Sequence, residues 1–119
     1  MHDGEQITLT RQSIGTPQYM APEQIGSARD VDHRADIYSL GVTLLHMLAA
    51  KAPFEGESAI TILYEKKDQP VPTTAEMGVS VSDKLESIIK RMCAKAIDER
   101  YQDYPTLIAD LKSVTFGQD

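Results

Sequence analysis

Cysteine is almost missing from this 119-residue chain. Cys93 stands alone, so no internal disulfide can form, and no Cys/His spacing resembles a metal site. A reducing setting follows, and with it the expectation of a cytoplasmic protein or the cytoplasmic domain of a larger one. An excess of positive charge is missing too. The 12 Lys and Arg stand against 18 Asp and Glu, a net charge of −6, whereas binding to a phosphate backbone is carried by clustered Lys and Arg. Nucleic acid is therefore not an expected partner. There is also no long hydrophobic run. Thr43 and His46 interrupt the stretch from Leu40 to Ala50, which falls well short of the ~20 residues that span a bilayer. No membrane segment and no signal peptide are expected. What is present, 41% hydrophobic and 25% charged residues, is the composition of a folded domain, and the length allows one domain or part of one, not two.

The periodicity is helical and strand signals are weak. Met1 to Gln18 is polar and reads as loop, although Ile7-Thr8-Leu9-Thr10 alternates faintly. From Arg34 to Ala50 the apolar residues, among them Ile37, Tyr38, Leu40, Val42, Leu44, Leu45, Met47 and Leu48, cover nearly the whole helical wheel. A helix apolar all round needs a shell of other elements on every side, which the remaining segments, or something missing from the chain, must supply. Pro53 ends it, and Ser58 caps a short second helix with Ala59, Ile62 and Leu63 on one face. The stretch 68–79, with Pro70, Pro72 and Gly78, is a surface loop. A third helix starts at Ser82 or Asp83, with Asp83 and Glu86 at capping-box spacing and Leu85, Ile88, Ile89 and Met92 as its core face. Pro105 suits the first turn of a fourth, with Leu107, Ile108, Leu111 and Val114 facing inward. Met20, Met47 and Met92 read as core filler, Cys93 as a small packed residue, and His33 and His46 as isolated, ordinary histidines. The fold class is mainly α.

Four short motifs go further than composition. Gly15-Thr16-Pro17-Gln18-Tyr19-Met20-Ala21-Pro22-Glu23 is followed by Asp36-Ile37-Tyr38-Ser39-Leu40-Gly41, then Pro53-Phe54, then Arg100. In that order and spacing they resemble the carboxy-terminal lobe of a eukaryotic-type Ser/Thr protein kinase, from about Thr8 to Val114. Thr8-Leu9-Thr10 shortly before Gly15-Thr16, and the Pro22-Glu23-Gln24 continuation, look most like the bacterial members. The resemblance implies a helical C-lobe half of a kinase fold, a single partial domain over 1–119. Residues 1–23 would be activation segment and peptide-docking loop, and 24–119 the helical subdomain.

The same resemblance implies roles residue by residue. Gly15, Thr16, Pro17, Tyr19 and Pro22 would dock the substrate peptide, with Thr16 supporting the catalytic loop; otherwise Thr16 only caps a turn before Pro17. Glu23 and Arg100 would form a buried ion pair between the docking loop and the helical base, or stand as two solvated charges. Asp36 would tether the catalytic loop, or simply suit the positive end of its helix. Thr8, Thr10 and Ser13 would be phospho-acceptors of the activation loop, with Arg11 and Arg34 available to receive the phosphate.

Missing motifs shape the expected activity. Kinases need a Gly-rich phosphate loop, a strand lysine, a His-Arg-Asp catalytic loop and an Asp-Phe-Gly metal motif, and the sequence contains none of them. The expectation is a part of a Ser/Thr kinase that is inactive alone, with no catalytic residue, cofactor or metal of its own. ATP and Mg would belong to a full-length parent acting on protein Ser or Thr. The alternative is a stand-alone interaction module with Tyr64 and Phe54 as contact residues. A half-covered helix over Ile37 to Ala49 further implies self-association, through exchange of the Met1 to Gln18 segment or otherwise.

Overall fold

The computed structural model describes residues 17–26, 31–54, 61, 62, 65 and 69–114. Among these there are helices and turns and no strand. A 3-10 turn, Pro17–Tyr19, leads into α1, Pro22–Gly26. The longest element is α2, His33–Ala49. It is followed by α3, Asp83–Met92, a second 3-10 turn, Ile97–Glu99, and α4, Tyr104–Lys112. Thr61 and Ile62 are helical and Ile62 is buried; Ser58, Ala59 and Leu63 of the expected second helix lie outside the described residues.

Each long helix starts on a side-chain acceptor. Asp32 caps α2 by accepting from Arg34 N at 2.9 Å, Ser82 caps α3 by accepting from Leu85 N at 3.1 Å, and Asp103 caps α4 by accepting from Thr106 N at 2.8 Å. Pro105 lies in the first turn of α4, where its missing N–H removes no helical bond. The capping box expected at α3 is only half made. Because Ser82 is the cap, Glu86 sits one position too late to reach back, and its carboxylate accepts from Thr74 N at 3.2 Å and from the Thr74 hydroxyl. Glu86 therefore ties the loop 71–81 to α3 instead of closing a helix end.

The core forms where α2 crosses α3 and α3 meets α4. From α2 come Ala35, Ile37, Tyr38, Gly41, Val42 and Leu45; from α3 come Leu85, Ile88, Ile89 and Met92; from α4 comes Leu107. At the crossing Gly41 admits α3: a methyl group built there would sit 2.6 Å from Cys93 Sγ and 2.8 Å from Met92 Cβ. Tyr101 closes the far side, donating its hydroxyl to Asp110 Oδ2 at 2.7 Å under the Arg91 guanidinium, 4.2 Å from the ring centroid. Burial first, and then the bond to Asp110, push its pKa up to about 12.

Three expectations are corrected here. The α2 helix is half covered, as expected of it, with Leu40 48% and Met47 73% exposed and Leu48 exposed with them. Leu40 and Met47, i and i+7, share a face turned away from Gly41, where α3 packs, so Met47 is not core filler, whereas Met20 and Met92 are. On α4, Ile108 is exposed, because Leu107 takes the core position and its neighbour is rotated about 100° around the axis. Phe54 is buried and so cannot be a surface contact residue; Tyr64 lies outside the described residues.

Candidate functional site

The site grows from a short segment that cannot hold itself. Pro17–Tyr19 and Pro22–Gly26 are each about one turn, too short to persist without tertiary contacts. Ala21, ahead of α1, has no side-chain acceptor to cap it. Gln24 compensates by returning its Oε1 to Ala21 N at 2.7 Å while Gln24 N bonds Ala21 O at 3.0 Å. Pro22 occupies the first helical position, and Glu23 follows in the first turn, where an anion suits the helix dipole.

Glu23 faces Arg100 across 77 residues of sequence. Arg100 Nη1 donates to Glu23 Oε2 at 2.7 Å and Nη2 to Oε1 at 3.1 Å, a two-point fork. The remaining donors reach main-chain carbonyls: Nε to Ala94 at 3.0 Å, Nη1 to Arg34 at 2.9 Å and Nη2 to Lys95 at 3.4 Å. The five N–H groups of a guanidinium thus meet five acceptors. The Arg100 side chain is 0% exposed and that of Glu23 11%, and the guanidinium carbon lies 5.1 Å from the centroid of Tyr38. Burial raises the pKa of the Tyr38 hydroxyl, so the ring remains neutral beside the cation. One residue thereby joins α1, the start of α2 and the turn after α3.

Tyr19 is held separately. Its hydroxyl lies 2.7 Å from His46 Nδ1, the two rings stack at 6.0 Å, and its carbonyl accepts from the Ser39 hydroxyl. His46 is thus engaged with Tyr19. A sequence signal existed: Ser39, Thr43 and His46 are the polar residues of an otherwise apolar stretch, spaced i, i+4, i+7 on one face. His33 also has a partner, the Gln102 carbonyl at 2.6 Å.

Of the other residues singled out, Asp36 is exposed in the first turn of α2. Arg34 is already engaged, paired with Asp32 at 2.8 Å and bonded to Gln102 Oε1 at 2.8 Å. The hydrogen bonds from Arg34 hold the exposed Asp32 carboxyl at about 2. Pro17 opens the first 3-10 turn. Thr8, Thr10, Ser13, Gly15, Thr16 and Arg11 lie outside the described residues. A cleft of about 520 Å³ lined by Val71, Pro72, Ile89, Lys90, Cys93 and Ala96 includes no residue of the 17–23 segment.

The comparison with known families is direct: the protein kinase domain matches residues 1–111. The chain belongs to the protein kinase domain family. Bacterial Ser/Thr kinases are among its relatives. It is 37% identical over 116 residues to serine/threonine-protein kinase PknB of Mycolicibacterium smegmatis, covering 97% of this chain and 18% of that kinase. It is 35% identical over 116 residues to PknB of Mycobacterium tuberculosis H37Rv, with the same coverage. To PknL of that strain it is 32% identical over 108 residues, 91% of this chain and 27% of the relative. The chain thus spans about a fifth of the length of the PknB kinases it matches. As a kinase-family chain it is helical where described, and no described helix is long and apolar enough to cross a membrane.

Proposed function

We propose that this chain supplies the activation segment, the peptide-docking loop and the helical base of a Ser/Thr protein kinase that phosphorylates protein substrates. The observation that carries the reading is the buried Glu23–Arg100 fork, which fastens the 17–23 segment to α2 and to the turn after α3. A docking surface must hold its shape before substrate arrives, and preorganisation of this kind limits the entropy lost on binding. Gly15, Thr16, Pro17, Tyr19 and Pro22 would form the surface, Asp36 would tether a catalytic loop, and Thr8, Thr10 and Ser13 would accept regulatory phosphate.

The residues present do not fit a magnesium nucleotide. The sequence has no Gly-rich phosphate loop and no Asp-Phe-Gly, and among the described residues no three His, Cys, Asp or Glu side chains gather to hold a metal. No step through ATP or Mg is assigned to this chain, and by itself it is inactive. Mixing the purified chain with Mg-ATP and a Ser-containing peptide tests both halves of the reading. The expected result is no phosphate incorporation, with NMR shifts confined to residues 15–23; phosphotransfer, or shifts only elsewhere, would contradict it.

A reading as an interaction module is favoured by one observation, the exposed Leu40, Met47 and Leu48 on α2. An apolar strip of this kind seeks cover, and a second copy of the chain is the proposed occupant. Light scattering is expected to give a mass above the monomer at high concentration, reduced by Met47→Asp. A monodisperse monomer would count against self-association.

A further inference from the structure

Tyr19 is gripped at both ends by one helix. Ser39 donates to its carbonyl and His46 Nδ1 lies 2.7 Å from its hydroxyl. These two side chains are seven residues apart on α2, about 10 Å of axis at 1.5 Å per residue. The tyrosine bridges that span lengthwise, with its ring stacked on the imidazole at 14°. Thr43, midway between them, donates to the Ser39 carbonyl at 2.8 Å and so bonds within its own helix, leaving Ser39 and His46 as the grip. The turn being gripped is only three residues long, with little stability of its own. We propose that Ser39 and His46 are positioning residues that clamp Tyr19 on α2 and set the register of the 17–23 segment, independently of the Glu23–Arg100 pair.

Two fixings do different work on a short segment. The ion pair fixes the segment at Glu23, and a chain held at one point can still swivel about it. The clamp adds two contacts four residues upstream, so that the segment has one orientation along α2. That this orientation serves peptide docking rests on the proposed function; the clamp itself does not. With the Tyr19 hydroxyl donating, Nδ1 is the acceptor, and the neutral His46 ring carries its proton on Nε2.

NMR on the full chain tests this without any substrate. His46 is expected in the Nε2–H tautomer at pH 8, and Tyr19→Phe, which deletes only the hydroxyl, is expected to return it to a mixture of tautomers. Exchange of the Ala21 and Gln24 amides is expected to rise about tenfold in Tyr19→Phe, Ser39→Ala and His46→Ala, while amides of α3 keep their protection. His46→Gln, whose side-chain oxygen can accept from the hydroxyl, is expected to restore most of it. An unchanged tautomer in Tyr19→Phe, unchanged exchange in all three variants, or protection lost equally throughout α3 would each overturn the clamp. A peptide that fails to perturb residues 15–23 would instead sink the docking reading and leave these results standing.

Discussion

Arg100→Ala is expected to destabilise the chain by about 3–5 kcal/mol, the cost of breaking a buried ion pair by removing one partner. The magnitude follows from what remains behind. Glu23, 11% exposed, would keep a carboxylate with little water to replace the fork. The carbonyls of Ala94, Arg34 and Lys95 would each lose a charged donor, and Tyr38 would lose the cation over its ring. A vacated buried charge site is worse than one never built, because the penalty is the desolvation of the unpaired group rather than the modest net worth of the pair. Lys90, exposed on α3, provides the contrast: Lys90→Ala should remain within about 0.5 kcal/mol. Thermal melts followed by circular dichroism decide the matter, and equal shifts in the two variants would remove the pair as a structural determinant. Should Arg100→Ala fail to fold, Glu23→Gln provides a milder comparison. It keeps the shape and one acceptor while deleting the charge, and should fall between wild type and Arg100→Ala.

The second large effect is a reversal of sign. In an exposed helix interior, Gly→Ala gains about 1 kcal/mol from backbone entropy and helix propensity. Gly41→Ala is expected instead to destabilise, because its methyl group would lie 2.6 Å from Cys93 Sγ and 2.8 Å from Met92 Cβ. Overpacking of this kind costs about 1–3 kcal/mol, and α2 could relieve it only by moving away from α3, at the centre of the core. Cys93→Ala in the same chain removes the sulfur but not the Met92 contact, so only partial rescue is expected. A rise in melting temperature for Gly41→Ala would show that the helices separate freely, and would contradict the close crossing.

Helix α3 was legible almost to the residue, because its apolar positions Leu85, Ile88, Ile89 and Met92 alternate with Lys84, Lys90 and Arg91. Polar residues on the outer face give a helix a phase that can be read without its neighbours. Helix α2 has no such contrast. Its apolar wheel gave its existence but not its orientation, and the partner at Gly41 decided that Ile37, Tyr38, Val42 and Leu45 face inward while Leu40, Met47 and Leu48 do not.

The site divides in the same way. The order of Gly15-Thr16-Pro17, Pro22-Glu23, Asp36 and Arg100 is a property of the linear chain, and it was enough to indicate the family. No local period links Glu23 to Arg100, so their approach to 2.7 Å exists only in three dimensions. The Tyr19–His46 contact is of the same kind. From sequence alone came the helical class, the helix α3 and its core face, and the kinase ancestry, all of which depend on residue type and spacing along the chain. Tertiary structure alone decided which face of α2 is covered, which partner Glu86 takes and what holds Tyr19. Those depend on which elements meet in space; local spacing marks Ser39, Thr43 and His46 as one polar face of α2 but not what lies against it.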